Sequence, residues 1–283
     1  MAESQVIIGI HGLANKPEAE TLKGWWKDSI LEGLERNQGR TSRTLSFESV
    51  YWANVLYGAP IPDDENKEPY RKAEGPLKTY KDGWWDDLVA GLADAAATPL
   101  DLTKRYFGFD GIADAVLRAK LDDLATYYEK PKIRKELRDL LRAALEKHKD
   151  KRIMVIAHSM GTIIAYDVLR ALGREDPARV IDHFVTIGSP LGLPHVKHKI
   201  YEENDLVRTP SVVRRWTNFA DRRDPVAADV RLSGDYAPNN RGVEVRDDLV
   251  INGYKSPAGK ANYHKSYGYL RAPEVSEAIR SSF

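Results

Sequence analysis

The sequence predicts an α/β fold: a mostly parallel central sheet with helices on both faces. Three observations predict it. Short apolar, β-branched runs alternate with stretches of helical periodicity, an order that calls for crossover connections and parallel strands. The polar residues of interest fall just after such runs, where the active sites of open α/β sheets gather. The composition, with 42% hydrophobic and 30% charged residues in a chain of 283, is that of a globular protein able to bury one large core.

Taken in order, "QVIIGIH" (5–11) reads as a buried strand closed by Gly12. Residues 19–37 read as an amphipathic helix, because Leu22, Trp26, Ile30 and Leu34 recur every four residues with charges between them. "TLSFESVYWAN" (44–54) has the β-branched and aromatic content of a second strand. Residues 55–110 are rich in Pro, Gly and charge, then in aromatics (Trp84, Trp85, Tyr106, Phe107, Phe109), and read as a lid-like insertion. Two helical patterns follow, one through Ile112, Val116, Leu117, Leu121 and Leu124, the other through Ile133, Leu137, Leu140, Leu141 and Leu145, with Pro131 between them.

"KRIMVIAH" (151–158) reads as a third strand and 160–173 as a helix ending at Gly173. Residues 179–190 read as a fourth strand stopped at Gly-Ser-Pro, and 191–210 as a second short excursion. Strands five and six are expected within 212–227 and 243–254, and a last helix from about Pro273. The whole, 1–283, reads as a single domain carrying the 55–110 and 191–210 segments.

Composition excludes several functions. Lysine and arginine total 43 against 42 aspartates and glutamates, so no electrostatic case exists for a nucleic-acid partner. The absence of cysteine removes disulfides, thiol catalysis and cysteine metal sites; it fits a reducing compartment, and a cytoplasmic location is the expectation. No apolar run approaches the roughly 20 residues of a membrane-spanning helix, and the N-terminus lacks the basic and apolar regions of a signal peptide.

The candidate chemistry centres on Ala157-His158-Ser159-Met160-Gly161, between an expected strand and an expected helix. A serine there is either a helix N-cap or a nucleophile. A tight strand-to-helix turn needs small residues two before and two after the serine, here Ala157 and Gly161, and this is the G-x-S-x-G elbow with Ala first. Downstream lie two acids, Asp221 and Asp224, after the fifth strand, and His264 after the sixth. Of the other histidines, His148 sits among charges, His183 lies on a strand as a core residue would, and His195 and His198 have a helical spacing that could suit a metal but lack a second ligand cluster.

With these residues in view, the chain resembles an α/β-hydrolase of the lipase and esterase type over most of its length outside the two excursions. The matching pieces are "IGIHGLANKP", "VIAHSMG", "TIGSPLG", "WTNFADRRDPVA" and "NYHKSY", in the order Ser, Asp, His that this fold uses. The resemblance implies Ser159 as nucleophile and His264 as base. It implies Asp224, before a Pro-Val step, as the acid, with Asp221 the alternative. It places the backbone N–H groups of Leu13 and Met160 in an oxyanion hole, supported by His11, Gly12, Ala157, His158 and Gly161.

The implied activity is hydrolysis of a small-molecule or lipid-like carboxylic ester through an acyl-enzyme, with no metal and no cofactor. A thioesterase, amidase or acyltransferase would use the same residues. A non-catalytic interaction module on the same fold is the alternative of a different class.

Overall fold

The computed structural model describes residues 4–39, 45–81, 124, 126–227 and 229–282. Six strands form one sheet: β1 (Gln5–Ile10), β2 (Phe47–Val50), β3 (Arg152–His158), β4 (His183–Ile187), β5 (Trp216–Ala220) and β6 (Val245–Leu249). Their order is β2-β1-β3-β4-β5-β6, and every pair is parallel. The helices are α1 (Ala19–Gln38), α2 (Ala53–Tyr57), α3 (Pro131–Lys147), α4 (Met160–Glu175), α5 (Pro194–Asn204), α6 (Ser266–Leu270) and α7 (Pro273–Ser282).

Strand sequence explains strand position. The central strands β1, β3 and β4 are almost wholly buried and read as continuous apolar runs, as strands covered on both faces must. The edge strands β2 and β6 are only partly buried and carry Glu48, Asp247 and Asp248. Alternate residues serve the two faces. Val6, Ile8, Ile10, Val155, Ala157 and Phe184 pack with residues of α3, α4 and α5. Ile7, Met154, Ile156, Val185 and Phe219 pack with α1, α6 and α7.

The chain leaves β1 in one direction, through α1 to β2, and returns to β3 on the other side. That reversal marks the region beyond the carboxyl ends of β1 and β3 as a switch point, the position where open α/β sheets bind ligands. Gly12 and Ser159 lie there.

Several elements depart from the sequence expectation, each for a local reason. The expected strand 44–54 ends at Val50. Trp52 is pulled out of it, its backbone N–H donating to His11 Nε2 at 3.0 Å and its indole to the His11 carbonyl at 2.9 Å, and α2 follows. Helix α4 runs past Gly173 to Glu175. Gly173 is a contact point instead of a terminator: a Cβ there would lie 2.1 Å from Ser211 Oγ. The remaining strands are the cores of their expected spans. The 191–210 excursion contains a 3-10 turn (Pro190–Gly192) and α5, which stops at Asp205 in a left-handed conformation (φ 57°).

Of the expected insertion, residues 55–57 complete α2 and 58–81 form a strap without regular secondary structure; 82–110 and most of the 112–124 helical pattern lie outside the described residues. The strap crosses one side of the site. Asn15 Nδ2 donates to the Ala59 carbonyl (2.9 Å), Ile61 N–H to Lys16 O (2.8 Å) and the Tyr254 hydroxyl to Pro69 O (2.8 Å). Beyond these, the buried Glu32 of α1 accepts the Ala73 N–H at 2.7 Å, and Arg271 donates to Arg71 O at 2.7 Å. Among the described residues no helix is long and apolar enough to cross a membrane.

Candidate functional site

Ser159 is the hinge between β3 and α4. Its backbone has φ 54° and ψ −130°, a conformation non-glycine residues rarely adopt, and it is buried. The turn stays tight because its neighbours are small. A Cβ at Gly161 would lie 2.6 Å from the His11 carbonyl oxygen, and one at Gly12 would lie 2.4 Å from Ser159 Cβ. Ala157 is fully buried on β3, in register with Ile10 and Thr186. No side-chain capping bond is made at Ser159, so its hydroxyl is not used as a helix cap.

That hydroxyl meets His264 instead: Ser159 Oγ lies 2.9 Å from His264 Nε2. On the other side of the ring, His264 Nδ1 lies 2.8 Å from Asp224 Oδ2. The three residues come from the turn after β3 and the loops that follow β5 and β6, and form one continuous line of hydrogen bonds. With Asp224 an acceptor only, Nδ1 carries the proton and Nε2 faces the serine as an acceptor.

Asp224 is held as an anion. Burial would raise its carboxyl, but the His264 ring, the Tyr269 hydroxyl and the Val226 N–H outweigh burial and keep it below the ordinary carboxylate range. The Tyr269 hydroxyl donates to Oδ2 at 2.7 Å and accepts the Asp221 N–H at 3.0 Å. Burial, then the Asp224 charge, pushes that phenol well above its usual range, so it remains a donor.

Asp221 takes a different place. Its carboxylate is occupied by Arg223, whose Nε donates to Oδ1 at 2.8 Å and whose Nη2 donates to Oδ2 at 2.5 Å, and by the Asn252 N–H at 2.6 Å. The structure thus brings Ser159, His264 and Asp224 together and assigns the neighbouring acid to the scaffold.

The turn after β1 is set by His11. Its Nε2 accepts the Trp52 N–H, so Nδ1 bears the proton and donates to the Gly12 carbonyl at 2.8 Å. Burial, then the Lys16 charge, lowers this imidazole well below its ordinary value, so it stays neutral. The Gly12 carbonyl shares its planar peptide with the Leu13 N–H, so fixing one end aims the other. Lys16 Nζ draws in the next two carbonyls, Leu13 O and Ala14 O. Met160 opens α4, where N–H groups and the positive end of the helix dipole converge. His158 turns from the Ser159 hydroxyl, and its Nε2 donates to the His264 carbonyl at 2.7 Å.

Three residues of the site escape sequence reasoning. Gly188, at the end of β4 (φ 54°), is where Asp224 and His264 fit: a Cβ would lie 2.8 Å from Asp224 Oδ2 and 3.2 Å from His264 Nδ1. Tyr269 is reached from α6. Asn252, fully buried, donates to the carbonyls on either side of His264, Tyr263 O (2.8 Å) and Lys265 O (2.9 Å). Gly-Ser-Pro after an apolar run is the one signal in sequence for Gly188; nothing local marks the other two.

The remaining histidines lie elsewhere. His183 bridges Ser282 and Thr217, and His198 pairs with Glu202 on α5. Among the described residues there is no group of three or more His, Asp or Glu side chains that could hold a metal ion.

The family model that matches part of the chain agrees with this architecture. Residues 123–224 match the family model described as "Alpha/beta hydrolase of unknown function (DUF900)". No curated protein matches the sequence. Among solved structures, a hormone-sensitive lipase from a metagenome library is 9% identical with a TM-score of 0.39, covering 100% of this chain and 80% of its own. A structure described as an alpha/beta-superfamily hydrolase from Xanthomonas campestris pv. campestris is 14% identical with a TM-score of 0.34, covering 98% of each chain. A proline iminopeptidase-related protein from Thermus thermophilus is 12% identical with a TM-score of 0.32, covering 99% of this chain and 89% of its own. The six-stranded parallel sheet and the positive-φ turn into α4 at its switch point give the chain an α/β-hydrolase fold, and the family match lies across β3, α4 and β4.

Proposed function

We propose that the protein is a serine hydrolase that cleaves a carboxylic ester through an acyl-enzyme. One observation carries the reading: the unbroken line from Ser159 Oγ to His264 (2.9 Å) to Asp224 (2.8 Å), ending on a hydroxyl held at a helix N-terminus. A serine hydroxyl needs a base in reach, and the base needs an orienting partner; both are in place.

In the reaction, His264 Nε2 takes the Ser159 proton as Oγ attacks the ester carbonyl. The carbonyl oxygen becomes an oxyanion held by the N–H groups of Leu13 and Met160. His264 then returns the proton to the leaving alcohol, and the acyl group stays on Ser159. Water enters, gives a proton to His264 and attacks the acyl carbon. The carboxylic acid departs as Ser159 regains its proton. Asp224 stays ionised throughout and stabilises the imidazolium. The ester, as opposed to a thioester or amide, is supported by the lipase- and esterase-type pattern of the sequence.

The test combines a fluorophosphonate probe with turnover of short p-nitrophenyl esters. The parent protein should be labelled on Ser159, and Ser159→Ala should lose labelling and at least about 10³-fold of turnover. Turnover of Ser159→Ala at the parent level, or a folded parent that takes no probe, would overturn the reading.

A further inference from the structure

His264 sits in a stretch, 250–265, that has no helix or strand to hold it. Its ring can serve Ser159 and Asp224 at once only if that loop stays in place. The loop is braced from outside by a residue nearly two hundred positions away. Glu68, on the 58–81 strap, accepts from Asn262 Nδ2 through Oε1 at 2.8 Å and from Lys265 Nζ through Oε2 at 3.2 Å. These two partners flank His264.

The chemistry of the carboxylate gives the contact a direction. An ionised Glu can only accept hydrogen bonds, so it selects the NH₂ end of the Asn262 amide. The amide oxygen is thereby turned inward, where Asn262 Oδ1 accepts the His264 backbone N–H at 3.0 Å. With the side chain removed, the NH₂ end of the amide loses this partner, and the His264 N–H contact alone is left to hold the orientation. The same strap, seven residues earlier, bonds to the turn after β1: Ile61 N–H donates to Lys16 O at 2.8 Å, and Lys16 holds the carbonyls of Leu13 and Ala14. One segment therefore touches both the loop of the base and the turn of the expected oxyanion hole.

We propose that Glu68 is a positioning residue for His264, acting through the Asn262 side chain. The proposal rests on the serine-hydrolase reading for its effect on rate. Stability is not what the contact provides. The Glu68 and Lys265 side chains are 36% and 24% exposed, and ion pairs this open to water contribute little to folding.

The test uses the full-length protein with p-nitrophenyl acetate, and follows the His264 backbone amide by NMR. Glu68→Ala should lower kcat about tenfold with KM within about twofold, since a small displacement of a catalytic ring is costly. Its melting temperature should stay close to the parent's. Glu68→Gln should recover most of the loss, because its amide oxygen can still take the Asn262 NH₂. In an Asn262→Ala background, Glu68→Ala should have no further effect. The His264 amide resonance should move upfield in Glu68→Ala and stay near its parent position in Glu68→Gln.

An unchanged kcat in Glu68→Ala, or a loss that repeats in full on the Asn262→Ala background, would overturn the proposal. The two readings fail differently. A parent without turnover whose His264 amide still responds to Glu68 sinks the hydrolase reading and leaves the brace. A parent with turnover that is indifferent to Glu68 sinks the brace alone.

Discussion

The floor of the site and its rim are held by different forces. The floor is the ends of β1, β3 and β4, where backbone lies against backbone and Gly12, Gly161 and Gly188 leave no room for a methyl group. The rim is the 250–265 loop and the strap, held by single polar atoms reaching across the chain: Asn252 to Tyr263 O and Lys265 O, Asn262 to His264 N–H, Tyr254 to Pro69 O. A floor of this kind is sensitive to added volume. A rim of this kind is sensitive to which atoms donate and which accept. Substitutions chosen by size should therefore damage the first, and isosteric changes of polarity the second.

The strongest way to break this contrast is Gly188→Ala. Its methyl group would press on Asp224 Oδ2, and a non-glycine residue at φ 54° adds strain of roughly 1–2 kcal/mol. We expect ester kcat/KM to fall about 100-fold. Turnover within threefold of the parent would mean that the floor yields. For the rim, Asn252→Asp keeps the shape but removes the donors, leaving a carboxylate against two carbonyls. It should cost about 2–3 kcal/mol in urea denaturation and about tenfold in kcat/KM, no less than Asn252→Ala. An Asp variant as stable as the parent would show that shape alone holds the loop.

The smallest effect sharpens the contrast through pH. The floor strands carry the buried His183, whose imidazole is driven down to about 3, by burial first and then by Arg215. The unfolded chain takes up a proton near its ordinary value of about 6.5, whereas the folded ring does not until far lower. Stability from this residue is complete above about 6.5 and falls on acidification toward 3. Between pH 7 and 5.5 the loss should be about 1 kcal/mol, and His183→Gln should flatten that part of the stability profile measured by urea titration.

The same division explains what could be read from the sequence. Strands β1 and β3, the starts of the helices at 19 and 160, and the placing of Ser159, an acid and His264 after strands in that order follow from local periodicity and chain order. The small residues at 157 and 161 are visible because the turn they serve is local. Asn252, Tyr269 and Glu68 are not visible, because each acts on a partner that only folding brings near. Asp221 and Asp224 could not be separated from sequence for the same reason: three residues apart and equally buried, they differ only in whether Arg223 and Asn252 or His264 stands opposite. Gly173 misled for the converse reason, since its role is a contact with Ser211 and not the end of a helix.

The backbone of Ser159 has a consequence for how such a chain can change. At φ 54° and ψ −130° the position suits glycine better than any residue with a side chain. Variation filtered for thermal robustness alone would drift toward glycine there and lose the hydroxyl in the same step. Durability and the proposed chemistry oppose each other at this one residue, so on that reading serine persists only where the reaction itself is under selection.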